Sequence, residues 1–171
     1  EWKEQKSLLN KIMKIKTILT LILMISPITV YGNFLKLNTP AKQVILNDHE
    51  LKKILFEKNS NDLMKPASMA KIMTAYIVFD RLQEGSLDLE DKFVVSKNAW
   101  KKGGSRTFLK LNSEVTISDL LMGLIVQSGN DAAIALAEGI AGSEEDFALQ
   151  MNQYANLLEM NNIYLPGTQK F

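Results

Sequence analysis

The 171 residues include no cysteine and a single histidine. The first absence excludes disulfides and thiolate metal sites, although many exported proteins lack disulfides too, so the compartment stays open. The second leaves a Ser-His-Asp triad without a base, because His49 falls in the polar turn Asn47-Asp48-His49-Glu50 between two strand-like runs, where side chains are ordinarily solvated. An excess of either charge is missing as well. Of 20 basic and 19 acidic residues, five basic and two acidic precede position 33, leaving 15 against 17, which gives no electrostatic footing for nucleic acid. No apolar run suffices to span a bilayer: Ile18 to Ile25 is cut by Ser26 and Pro27, well short of the roughly 20 residues needed. Repeats and low-complexity segments are also absent.

That short run has the layout of an address instead. Lys14 and Lys16 precede it, and Val30-Tyr31-Gly32 places small or modest residues where a signal peptidase cuts, so residues 13–32 are expected to be a secretory signal peptide. Met13 is then the expected start, residues 1–12 an upstream extension, and 33–171 the exported domain, periplasmic or otherwise extracytoplasmic.

Beyond residue 32 the pattern is α/β. Gln43-Val44-Ile45-Leu46 and Lys53-Ile54-Leu55-Phe56 read as an antiparallel hairpin, with Phe93-Val94-Val95 and Thr107-Phe108-Leu109 as weaker extended segments. The basic loop Lys101 to Arg106 between the latter two reads as a solvated connection. Ser143 caps a last helix running to about Met160, with Phe147, Met151, Tyr154, Leu157 and Leu158 on its apolar side.

The chemistry concentrates in two places. Pro66 marks a helix start, and Met69, Ile72, Met73, Tyr76, Phe79 and Leu82 recur at helical spacing as far as Gly85, which suits a left-handed cap. Ser68 then sits in the first turn, with Lys71 one turn on and outside the apolar stripe. A serine hydroxyl needs a base within reach, and a lysine serves as one only where burial or positive neighbours hold it neutral. The backbone N–H groups of such a turn suit a developing oxyanion. The second place is Ser128-Gly129-Asn130. Thr116 to Asp119 resembles a capping box opening an apolar helix, and Ser-Gly-Asn interrupts it before a second helical run from Asp131. Held on that turn, Ser128 suits proton relay to a leaving amine, and Asn130 suits a substrate amide. By themselves the two motifs also describe an amphipathic helix with a solvated lysine and an ordinary interhelix turn.

Together they resemble the motif set of penicillin-recognising serine enzymes. The run Lys65-Pro66-Ala67-Ser68-Met69-Ala70-Lys71-Ile72-Met73-Thr74, then Gln127 to Ala132, Ala141 to Glu144 and Met151-Asn152, is similar to D-alanyl-D-alanine carboxypeptidases of peptidase family S11, over roughly Val44 to Met160. The resemblance implies the serine β-lactamase/DD-peptidase fold, α/β (α+β) with a helical subdomain against an antiparallel sheet. It implies catalytic roles for Ser68, Lys71 and Ser128, a substrate-binding role for Asn130, and no metal or cofactor. The implied partners are peptidoglycan stem peptides and β-lactam antibiotics as inhibitors, at the periphery of the membrane.

Two departures accompany the match. No Lys-Thr-Gly triad follows Ser128, and Leu158-Glu159-Met160 with Ile163 to Thr168 diverges from the family pattern. The chain is therefore expected to be a C-terminally truncated catalytic domain with an incomplete sheet, unstable alone or dependent on a partner that supplies the missing strands. A serine D-Ala-D-Ala carboxypeptidase, an impaired remnant of one, and a class A β-lactamase-like hydrolase are the readings these residues allow.

Overall fold

The computed structural model describes residues 37–160 and 162–168, with four isolated positions before them, Trp2, Gln5, Met13 and Lys16. Those four apart, the expected extension and signal peptide lie outside the described residues. Among the described residues, no helix is long and apolar enough to cross a membrane. The chain divides into two units, 1–62 and 63–171, and the second holds all four candidate site residues.

In the first unit, β1 (Val44–Asp48) and β2 (Lys53–Lys58) form the expected antiparallel hairpin. Asp48 shapes its turn by accepting the N–H groups of Glu50 and Leu51 at 3.0 and 2.9 Å. A bulge between Leu46 and Asn47 shifts the register. Ile45 and Ile54 are exposed, an apolar surface that a two-stranded sheet does not cover by itself.

In the second unit, a 3₁₀ turn at Ala67–Met69 leads into α1 (Ala70–Gln83). Gly85, at φ 73°, closes the helix: its N–H reaches Leu82 O and that of Ser86 reaches Arg81 O, at 3.2 and 3.0 Å. Then come β3 (Lys92–Val94), α2 (Lys97–Lys101), β4 (Glu114–Thr116), α3 (Ile117–Gln127), α4 (Asn130–Ala141) and α5 (Glu144–Leu157). Ser96, Thr116 and Ser143 cap α2, α3 and α5, each accepting the N–H three residues on. The first of these helices is too short to show periodicity, and it escaped the sequence pattern.

β3 pairs with β4, Phe93 opposite Val115. The expected strand at Thr107 to Leu109 does not form. Two of its three N–H groups, those of Thr107 and Leu109, are taken by the Asp131 carboxylate instead of a ladder.

The axis of this unit is α4, buried continuously from Asp131 to Ala137 and packed by α1, α2, α3 and α5. Its alanines let those neighbours approach closely, and a helix apolar on all sides is an interior one. This arrangement corrects the expected stripe of α1. Ala70, Met73, Thr74, Ile77 and Val78 are buried, whereas Ile72, Tyr76 and Phe79 are exposed. The helix is apolar on two faces, and periodicity does not say which of them α4 and α5 will cover. Lys71, expected outside the core, is buried at 5 % exposure.

On α5 the buried face is Phe147, Ala148, Met151 and Ala155, while Leu157 and Leu158 are exposed beyond the helix's useful reach. The segment after it is anchored. Leu165 is buried in the same cluster, and Asn152 clamps it, donating to Leu165 O at 2.7 Å and accepting from Leu165 N at 2.9 Å. Asn152→Ala should therefore cost about 1–3 kcal/mol, since it leaves a part-buried N–H and C=O unpaired. Urea unfolding should show a lower midpoint, and an unchanged midpoint would mean that the clamp holds nothing.

Candidate active site

Ser68 lies in the 3₁₀ turn, two residues ahead of α1, rather than inside the helix. Ala67 before it stands at φ 49°, a left-handed conformation that costs a residue with a Cβ of the order of 1 kcal/mol. Ser128 is the left-handed cap of α3, at φ 53° and ψ 39°. Ser128 thus stands on strained backbone between α3 and α4, and Ser68 directly follows a strained residue at the entry to α1.

Lys71 Nζ joins the two motifs. It lies 2.7 Å from Ser128 O, 2.6 Å from Asn130 Oδ1, 3.1 Å from Ser128 Oγ and 3.5 Å from Ser68 Oγ. The chemistry of those partners allocates its protons. A carbonyl and an amide oxygen can only accept, so Ser128 O and Asn130 Oδ1 take two N–H groups. A neutral amine has two N–H groups and one lone pair, and that lone pair is left facing the two hydroxyls. Burial favours this neutral form, pushing the lysine below its ordinary 10.5, and the Asp131 carboxylate pulls partly the other way.

The amide of Asn130 is oriented from the opposite side. Its Nδ2 donates to Gly103 O at 2.8 Å, and its backbone N–H donates to Ser105 O at 2.8 Å. The loop expected to be a solvated connection is therefore seated on the Ser-Gly-Asn turn. A Cβ at Gly104, already at φ 82°, would fall 2.7 Å from Asn130 Nδ2, so only glycine fits there without displacing the amide.

Beside these residues runs a groove of about 410 Å³, lined by Ser68, Lys71, Ser128 and the apolar side chains Tyr76, Phe79 and Leu124 among others. The structure brings together all four residues singled out from the sequence, Ser68, Lys71, Ser128 and Asn130. It adds Gly103, Ser105 and Asp131, which the motifs did not mark. One clue was available, since Asp131 puts a charge in the first turn of a helix that is then apolar as far as Ala137.

Comparison with known proteins covers the stretch of chain that holds these residues. A family model of D-alanyl-D-alanine carboxypeptidases covers residues 33–167, widening the 44–160 span of the motif resemblance. The D-alanyl-D-alanine carboxypeptidase DacF of Bacillus subtilis is 42 % identical over 122 residues, 71 % of this chain and 31 % of the relative. DacC of Escherichia coli is 43 % identical over 128 residues, 71 % of this chain and 32 % of the relative. Among solved structures, the carboxypeptidase DacD from Francisella tularensis superposes with a TM-score of 0.76 at 35 % identity, over 82 % of this chain and 34 % of that one. Penicillin binding protein 5 from Haemophilus influenzae gives 0.73 at 33 % identity, over 79 % and 41 %. The chain spans about a third of the length of the curated relatives it matches, and its mixed helices and small antiparallel sheets are part of their fold. With a family model covering most of its length and both motifs meeting at one lysine, this chain belongs to the D-alanyl-D-alanine carboxypeptidases of peptidase family S11.

Proposed function

We propose that the chain carries the acylating half of a serine-type D-Ala-D-Ala carboxypeptidase acting on peptidoglycan stem peptides. The observation that carries this is the placement of Lys71 Nζ, where Ser128 O and Asn130 Oδ1 accept its two N–H groups and the hydroxyls of Ser128 and Ser68 lie 3.1 and 3.5 Å away, on the side of the remaining lone pair. Ser68 Oγ attacks the carbonyl carbon between the terminal D-alanines as its proton passes to Lys71. The backbone N–H of the 3₁₀ turn faces the oxygen that gains charge. As the C–N bond breaks, Ser128 Oγ hands a proton to the departing D-alanine amine and is resupplied from Lys71. The product is an ester on Ser68, which water cleaves. Asn130 holds the substrate amide beside Ser68, and β-lactams acylate the same hydroxyl.

Residues 13–32 support export to an extracytoplasmic space, where that substrate is found. A second reading is that these 171 residues by themselves acylate but turn over slowly, since they hold no Lys-Thr-Gly after Ser128. The loss of one positioned donor would lower turnover by roughly 100- to 1,000-fold.

One experiment separates these. After expression in a Gram-negative host and reaction with benzylpenicillin, mass spectrometry should find the adduct on Ser68 and the N-terminus at Asn33. D-alanine release from diacetyl-lysyl-D-alanyl-D-alanine, against a full-length relative, then distinguishes competent turnover from impaired turnover. An adduct on Ser128, or none, would refute the proposed chemistry, and an intact cytoplasmic N-terminus would refute export.

A further inference from the structure

We infer that Asp131 is a positioning residue for this site, acting through the loop Gly103 to Leu109 to fix the amide of Asn130 and with it the donor allocation of Lys71. The inference rests on the acylation chemistry proposed above, and it concerns residues to which that chemistry gives no part.

Asp131 is fully buried. Its carboxylate accepts from Thr107 N at 2.8 Å, from Leu109 N at 3.2 Å and from Ala132 N at 3.0 Å, with Arg106 Nε at 4.0 Å. A buried carboxylate is costly unless its lone pairs are engaged, and here most of the engagement comes from one loop. The grip is strong enough to distort that loop. Phe108, between the two donating N–H groups, stands at φ 62° with its ring exposed, an outlier for a bulky residue. Arg106 braces it from the side, with its guanidinium 5.6 Å from the Phe108 ring and a bond to Trp100 O at 2.6 Å. Thr107 is pressed against the turn so closely that a Cβ at Gly129 would clash with its Oγ1.

The far end of this clamped loop is what Asn130 leans on. Gly103 O accepts from Nδ2, and that single contact decides which end of the amide faces Lys71. Were the amide to flip, an NH₂ would oppose Nζ, donor against donor. Lys71 would then spend a different N–H or turn its lone pair away from Ser68. Asp131 touches neither the lysine nor the nucleophile. It sets the geometry through the loop, and its charge separately favours protonated Lys71.

The two effects have opposite signatures in a pH profile of Ser68 acylation by benzylpenicillin. In Asp131→Asn the lost charge moves the acid limb to lower pH. The side-chain NH₂ can no longer accept from both loop N–H groups, so the loop loosens and the plateau above that limb falls about 100-fold, the order expected for a misplacement near 1 Å. Gly104→Ala, which crowds Asn130 Nδ2 and leaves Asp131 in place, should lower the plateau while the limb stays. It poses the same question should Asp131→Asn fail to fold. A shifted limb with an unchanged plateau in Asp131→Asn would overturn the inference. The amide protons of Asn130, followed by NMR, provide a readout independent of chemistry. In both variants they should exchange at least about tenfold faster than in the parent chain, the change expected when a hydrogen bond worth ~1.4 kcal/mol is released. Exchange at the parent rate would overturn the inference even if the chain formed no adduct at all.

Discussion

Lys71→Ala should reduce the rate of Ser68 acylation by benzylpenicillin by at least about 100- to 10,000-fold, the range of a general base. Among the described residues, the side chain removed is the only group that meets both hydroxyls, at 3.5 Å from Ser68 Oγ and 3.1 Å from Ser128 Oγ. Two controls isolate its role. Lys71→Arg keeps the positive charge but cannot surrender a proton, so it should be as slow as alanine at every pH. In the parent chain the rate should be lost as pH falls through the lowered value of Lys71 and be full above it. Stability follows the same direction. Because the folded state holds this proton more weakly than the unfolded chain, whose lysine titrates near 10.5, the unfolded form binds more protons between the two values. Stability therefore rises with pH through that window and is lost as pH falls through the folded value. Labelling undiminished in Lys71→Ala, measured by stopped-flow or by mass spectrometry of quenched samples, would remove Lys71 from the role of base.

Ser128→Gly is expected to move stability and activity in opposite directions. Ser128 stands at φ 53°, a conformation glycine adopts without a Cβ penalty, so the change should stabilise the chain by up to about 1 kcal/mol despite the entropy that glycine adds to the unfolded state. The backbone carbonyl that accepts from Lys71 at 2.7 Å is kept. What disappears is the hydroxyl that passes a proton to the leaving group. D-alanine release should fall by about 100-fold or more, with the thermal midpoint unchanged or higher. A loss of activity accompanied by a lower midpoint would point to damage of the turn instead. Activity at the parent level would assign the relay elsewhere.

Much of the site was legible in the sequence because its spacing is local. Ser68 and Lys71 are three residues apart on the approach to one helix, and Ser128 and Asn130 flank one turn, so each pair is set by backbone geometry over a few residues. The caps at Thr116 and Ser143 were equally plain, since a hydroxyl reaches an N–H three residues on without help from the rest of the fold. Thr107 to Leu109 shows the limit. Its residues have strand propensity, but a carboxylate 22 to 24 positions away takes the N–H groups a ladder would have used.

Residue order alone shows which groups could react, where the two helix junctions fall, and that the chain has no cysteine and only one histidine, in a polar turn. Tertiary packing decided the rest. It selected the face of α1 that is buried, because an apolar stripe on each side of a helix leaves the choice to its neighbours. It joined two motifs 57 residues apart at a single nitrogen. It also buried the Lys71 side chain and pushed its pKa below the ordinary value, since the proton affinity of a side chain is set by the water it loses and the charges it meets, and neither is written within one turn of helix.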